Sequence, residues 1–293
     1  MRAVKLQTVK SAQFCLVFVS SLNPLSVRKC HLLFLISVLT LAVMRGVSGQ
    51  LTSTNWAGYL IQATGVTGIS ASWTVPEVQC SNTAGTSTVA KGESIWIGID
   101  GTGKANPEQV GTDSVCYNGS PSYAAWIEDP TLSHAMVSFP DTSYDDHITA
   151  SIAYLGNNQF RFNIADAQTG NSRTYTVIVP NAARASAEWI VELPYNTNTG
   201  KQLTLADFQS VTFTDCTAAV NNVPGSILQN NAQPLNLIDN KGNIVITTQN
   251  LNSAGTSFQV VLPASPTPES PSVLPLLVPA FAVALLLLRS KRV

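Results

Sequence analysis

The sequence predicts an all-β domain, an antiparallel sandwich or barrel, and three observations carry the prediction. Short segments that alternate apolar and polar residues run from about residue 55 to 263, separated by Gly, Asn, Pro and Asp, as half-buried strands joined by turns would be. No long stretch outside the two termini shows a helical period. Hydrophobic residues make up 45% of the chain and charged residues only 11%, a composition that builds a large core rather than a disordered chain.

The predicted strands follow in order. NWAGYLI (55–61), GISASWTV (68–75), ESIWIGID (93–100) and SYAAWIED (122–129) form the first half, with HITASIAYL (147–155), QFRFNIAD (159–166) and RTYTVIV (173–179) after them. ASAEWIVEL (185–193), SVTFTD (210–215), NIVITTQ (243–249) and SFQVVLP (257–263) complete the set. YLGNNQF (154–160) and DNKGN (239–243) read as hairpin turns, because Gly and Asn tolerate positive φ. No internal repeat occurs and no linker divides 51 to 263, so one domain is expected.

Both ends read differently. Arg28 and Lys29, the apolar run 31–44 and the small residues of GVSGQ have the order of a secretory signal cut near Gly49, making 1–49 leader and signal. A second apolar patch at 14–22 is either an extended leader or an unused upstream start. After the domain at 50–264, residues 265–272 read as a Pro/Ser stalk and 273–293 as a transmembrane segment with a basic tail. The apolar run 273–288 is short against the roughly 20 residues needed to cross hydrocarbon, but Arg289 and Lys291 can snorkel. A cleaved surface-sorting signal has the same composition. Either way the expectation is an extracellular domain, secreted or anchored at the surface.

Removing the ends changes the charge. Seven basic residues face sixteen acidic ones between Gln50 and Ser265, a net charge of about −9 where the whole chain has −1. Nucleic acid is therefore excluded as a partner. Of five cysteines, Cys15 and Cys30 fall in the leader; in an exported protein Cys80 and Cys116 can form a disulfide, with Cys216 buried and free. No C-x-x-C pair occurs, and His134 and His147 lack ligand-like spacing, so no metal is expected.

The sequence lacks H-E-x-x-H, G-x-S-x-G and a phosphate loop, and DGTG (100–103) has the wrong order for an aspartic peptidase signature. What remains is parity. Ile95, Ile97 and Ile99 form one face of their strand, with Trp96, Gly98 and Asp100 on the other; Trp126 and Glu128 share a face. In ASAEWIVE, Ala187, Trp189 and Val191 alternate with Ser186, Glu188, Ile190 and Glu192. Aromatics and carboxylates on the faces opposite the core suit a cleft that holds an extended polymer, or else a second, flatter core.

The succession NWAGY, SASWTVPEV, SIWIGIDG, EQVGTDS, YAAWIEDP, SAEWIVELP and LADFQSVTFTD resembles the glutamic peptidases, or eqolisins, over about residues 54 to 218. The resemblance implies a β-sandwich of two antiparallel sheets, a concanavalin-like jelly roll, and an acid-acting endopeptidase. It assigns the catalytic pair to Gln109 and Glu188, and places Trp96, Asp100, Asp113, Trp126 and Glu128 around the cleft as substrate-binding residues. Val110 stands where Thr is usual, which removes a hydroxyl and a supporting hydrogen bond. Glu188 would act as general base toward a water, and the Gln109 amide would donate to the oxyanion. Ionised Asp100, Asp113 and Glu128 would raise the proton affinity of Glu188. No cofactor is required, the partners are polypeptide substrates, and a monomer is expected. A sandwich glycosidase using Glu128 and Glu188, or a non-catalytic carbohydrate-binding module, are the alternatives.

Overall fold

The computed structural model describes residues 50–80, 89–102, 107–128, 131, 136–139, 141–196 and 200–263. His134, the leader, the stalk and the apolar C-terminal segment lie outside them.

Nineteen strands occur among these residues: β1 (Leu51–Ser53), β2 (Trp56–Gln62), β3 (Val66–Thr74), β4 (Val89–Ile99), β5 (Glu108–Tyr117), β6 (Ser120–Glu128), β7 (Met136–Phe139), β8 (His147–Gly156), β9 (Gln159–Asp166), β10 (Ser172–Ile178), β11 (Ser186–Glu192), β12 (Tyr195–Asn196), β13 (Lys201–Gln202), β14 (Thr204–Leu205), β15 (Ser210–Val220), β16 (Val223–Ser226), β17 (Gln233–Ile238), β18 (Ile244–Thr248) and β19 (Phe258–Val261). The fold is all-β, and no described helix is long and apolar enough to cross a membrane.

Antiparallel ladders run without a break through β7, β6, β5, β4, β11, β2, β17, β18, β19, β15, β3, β8, β9 and β10. Where two separate sheets were expected, seventeen strands share one hydrogen-bonded sheet that curls nearly closed like a barrel. The β18–β19 turn of the ladder explains the difference, because it bonds to both arms.

The two arms face each other across the main core. Ile95, Ile97 and Ile99 of β4 and Ala187, Trp189 and Val191 of β11 meet Ile148, Ile152, Phe160 and Phe162 of the opposite arm. Each Ile, Val and Phe among them contributes about 1.5–3 kcal/mol by leaving water. The Trp189 indole donates to the Ser70 carbonyl at 3.0 Å, and the Trp73 indole to Thr112 Oγ1 at 3.0 Å, so the core's aromatic N–H groups are satisfied between arms.

All eleven segments picked out by alternation form strands. Asn157 and Asn158 take φ of 50° and 60° in the β8–β9 hairpin, and Gly242 takes 84° in the β17–β18 turn. The expected disulfide joins Cys80 to Cys116, and Cys216 is buried and free. One correction concerns Gln109, whose segment EQVGTDS is absent from the strands that alternation picks out. It lies inside β5, which pairs with β4 on one side and β6 on the other.

Candidate active site

The outward face of the first arm is a lattice of cross-strand rows. In the central row Glu128 of β6 stands opposite Gln109 of β5, Gln109 opposite Gly98 of β4, Gly98 opposite Glu188 of β11, and Glu188 opposite Leu60 of β2. Gln109 and Glu188 thus flank one glycine. At roughly 4.8 Å per strand their backbones stand roughly 10 Å apart, and two side chains leaning inward can converge over Gly98. A Cβ on Gly98 would lie 2.8 Å from Trp96 Cζ3, so the gap between the pair depends on glycine.

The next row holds Trp126, Gly111, Trp96, Ile190 and Gly58. Trp96 is fully buried and Trp126 nearly so, forming a second small core with Leu60, Ile190 and Leu235. These indoles floor the site and hold its carboxylates: Trp96 Nε1 donates to Glu192 Oε2 at 2.8 Å, and Trp126 Nε1 to Asp113 Oδ1 at 2.8 Å. Ser94 Oγ donates to the same Asp113 oxygen at 2.6 Å, and Asn55 Nδ2 to Glu192 Oε1 at 3.3 Å. Burial pushes Glu192 up to about 7 and raises Asp113, although these donors pull both back.

Asp100 directly follows β4 with φ of 64° and accepts from the backbone N–H groups of Arg184 at 2.7 Å and Ala185 at 2.6 Å. It therefore staples the entry of β11 to the exit of β4 and fixes where Glu188 falls. Its own N–H donates to the Ser186 carbonyl at 3.2 Å. Val110 points into the main core, so the missing hydroxyl at that position is on the side away from Gln109 and Glu188.

Glu188 is completely buried and neither carboxyl oxygen has a hydrogen-bond partner. Gly101 lies so close that a Cβ there would sit 3.2 Å from Glu188 Oε2. Burial pushes Glu188 up to about 8, with the Asp100 charge adding to it, while the Ser186 hydroxyl and the N–H groups of Gly101 and Thr102, none aligned as a hydrogen bond, pull it back. Loss of water, rather than repulsion from Asp113 and Glu128, is thus the main cause. Gln109 is 8% exposed and Glu128 is half-buried, so the row opens to solvent on the β5–β6 side.

Two site residues escaped the sequence reading. Glu192 shares the parity of Glu188 and was visible on that ground; Glu108, fully buried beside Gln109, carried no signal beyond adjacency. Among the described residues no group of His, Cys, Asp and Glu is arranged to hold a metal ion.

A buried carboxyl and an amide thus flank one glycine on a curled antiparallel sheet, and the family of the chain is that of the glutamic-type peptidases. The chain belongs to the peptidase A4 family, whose model matches residues 54–260. It is similar to Aspergillopepsin-2 of Aspergillus niger, 29% identical over 203 residues that span 60% of this chain and 67% of that one. Among solved structures it is similar to Scytalido-glutamic peptidase bound to a peptide-based transition state analog (TM-score 0.59, 23% identity, 72% of this chain and 99% of the other). Aspergilloglutamic peptidase from Aspergillus niger aligns with TM-score 0.50 and 26% identity over 59% of this chain and 99% of its own.

Proposed function

We propose that this peptidase is an exported endopeptidase, active at acidic pH, in which Gln109 and Glu188 act as the catalytic pair on an extended polypeptide. The observation that carries the reading is the row Gln109–Gly98–Glu188, with an unpartnered buried carboxyl at one end.

Burial changes the order of proton transfers expected from sequence. At acidic pH Glu188 is a neutral carboxylic acid, so its first act is donation. One oxygen gives its proton to the scissile carbonyl oxygen as water attacks the carbonyl carbon. The other oxygen takes a proton from that water, leaving a neutral gem-diol and Glu188 again protonated. In the second step Glu188 protonates the amide nitrogen and accepts a proton from one gem-diol hydroxyl, so the C–N bond breaks to a carboxylic acid and an amine. The Gln109 NH₂ donates to the oxygen on which charge develops, and its carbonyl holds the attacking water. Ionised Glu188 has no proton to give, so activity falls as pH rises through its pKa in the complex.

Glu188→Gln should abolish hydrolysis of a denatured protein between pH 2 and 7, and Gln109→Ala should lower kcat by about 10²-fold, as loss of one oxyanion donor does. Near-normal turnover by folded Glu188→Gln would sink the pair. A glycosidase reading fits less well. Glu128 and Glu188 stand three strand intervals apart on one row, and the place between them is taken by the Gln109 amide, for which a pair of glycosidase carboxyls has no use.

The exported location rests on the leader at 1–49 and on the Cys80–Cys116 disulfide, which an oxidising compartment favours. The C-terminal segment 273–293 would hold the domain 50–264 to the membrane through its stalk. Fractionation of cells expressing the full chain checks this: an intact full-length chain free in the medium argues against the anchor.

A further inference from the structure

Glu188 is fully buried, yet its neighbours in the sheet account for only part of its enclosure. Leu60 on β2 and Gly98 on β4 flank it across the ladder. Ser186 and Ile190, both fully buried, flank it along β11. Two further pieces, arriving from opposite ends of the site, meet beside its carboxyl.

The first piece is the turn after β4. Asp100 takes the left-handed φ of 64°, which bends the chain, and its carboxylate anchors the bend on the N–H groups of Arg184 and Ala185. The Thr102 N–H then donates to Ser186 Oγ at 3.4 Å. The bend brings Gly101 against Glu188: a Cβ there would lie 3.1 Å from Glu188 Cδ and 3.2 Å from its Oε2. The second piece is Trp56, at the start of β2. It stands opposite Glu192, and the position between Trp56 and Leu60 on the same face is Gly58, which has no side chain to block it. The Trp56 indole packs edge-on against Trp96, with ring centroids 5.2 Å apart, and its far corner reaches the same glycine. Trp56 Cη2 lies 3.1 Å from the point where a Gly101 Cβ would be. One point is thus 3.1 Å from both the Glu188 carboxyl carbon and the edge of the Trp56 ring, so the two are at most twice that distance apart. Trp56 is itself only half-buried, so it stands between this corner and solvent.

We infer that Trp56 is a positioning residue for Glu188: with Gly101 it caps the carboxyl on the β2 side, keeping water from it and holding it in place beside Gly98. The inference rests on the dyad reading above. Its physical content is desolvation. An indole edge offers a carboxylate no hydrogen bond in exchange for the water it displaces, so the neutral acid is favoured. Burial is the largest cause that raises Glu188, and the cap supplies a part of that burial which the sheet does not. The titratable groups around this corner are Asp100 after β4, Glu192 opposite Trp56, Glu128 at the far end of the row and Glu108 on the core side of β5. Arg184 turns its guanidinium onto the Tyr154 ring, 4.1 Å from the centroid. A Trp56 that only filled the second core would affect stability and leave the pH profile of catalysis in place.

The test compares wild type, Trp56→Phe and Trp56→Ala in the full chain, hydrolysing a quenched fluorescent peptide from about pH 3 to 9. In Trp56→Ala the alkaline limb of kcat/KM should move down by about one pH unit or more, because water reaches the carboxyl. Phe, which keeps an apolar ring but lacks the indole's outer edge, should give a smaller shift in the same direction. On the acidic plateau Trp56→Ala should lower kcat by about tenfold with KM nearly unchanged, the pattern of a misplaced catalytic group rather than a lost substrate contact. An unshifted limb in folded Trp56→Ala overturns the inference, and so does a raised KM with kcat intact. Where Trp56→Ala does not fold, an unshifted limb in Trp56→Phe overturns it. A second measurement follows the labelled Glu188 carboxyl carbon by NMR, read at Glu188 itself because Glu192 also stands against Trp56. Its titration should move down in Trp56→Ala, and an unchanged midpoint overturns the inference. Retained hydrolysis by Glu188→Gln would remove the dyad while leaving that midpoint shift measurable, so the two failures are distinguishable.

Discussion

Raising the pH from 4 to 8 should strip stability from this fold, and the size of the effect follows from its buried carboxyls. Glu188 moves from 4.5 to about 8 on folding, Glu108 does the same, and Glu192 reaches about 7. In each case burial is the largest cause. A folded-state pKa above the unfolded value means that the folded protein holds its proton more tightly. The stability is therefore fully present below about 4.5 and is lost as pH rises through the folded values. Carrying one group from 4.5 to about 8 corresponds to about 5 kcal/mol at 1.36 kcal/mol per pH unit. Relaxation of the structure around a new charge returns part of that, but even half from Glu188 and half from Glu108 is comparable with the ~5–15 kcal/mol that holds a whole domain together. Asp239 has the opposite sign, lowered by its hydrogen bonds to Asn243, but it is exposed and its effect is confined to strongly acidic solution. Urea unfolding followed by tryptophan fluorescence at pH 4, 6 and 8 should give midpoints that fall steadily, with a shallower fall for Glu188→Gln. A midpoint that is flat or rises from pH 4 to 8 would show that these carboxyls are solvated in the native protein, and would refute the burial on which the acid-first mechanism depends.

Two further outcomes follow from the scaffold. Replacing Asp100 by Ala leaves the buried N–H groups of Arg184 and Ala185 without their acceptor, about 1–3 kcal/mol each, and should lower both the melting temperature and kcat because the entry of β11 shifts; Asn, which tolerates positive φ and keeps one acceptor, should lose less. Reducing the Cys80–Cys116 bond, which closes a sequence separation of 36, should cost about 4 kcal/mol in denaturant unfolding yet leave kcat at moderate temperature unchanged, because ladders on both sides of β5 hold Gln109.

What the sequence displayed was parity, and what it concealed was register. Ile95, Ile97 and Ile99 announced the core face of β4, and the face of Glu188 followed from Trp189 beside it, because a pleated strand sends neighbouring side chains to opposite sides. β5 hid for the complementary reason. Gln109, Gly111 and Asp113 alternate with Val110, Thr112 and Ser114, so neither face is apolar enough to show a strand, although the sheet buries both. Parity also left the tryptophans ambiguous: the same alternation serves an open cleft and a second core, and only packing assigns Trp96 and Trp126 to the latter. Nothing local could place Gln109 and Glu188 on one row, since their relation runs through hydrogen bonds to a third strand. Gly98 is the residue where that relation becomes physical. It pairs with Gln109 on one side and Glu188 on the other, and a larger residue would fill the space between them. The glycine that looked like a gap in the apolar pattern of ESIWIGID is thus what keeps open the space between an amide and a carboxyl from two strands not bonded to each other, the space that the proposed reaction requires.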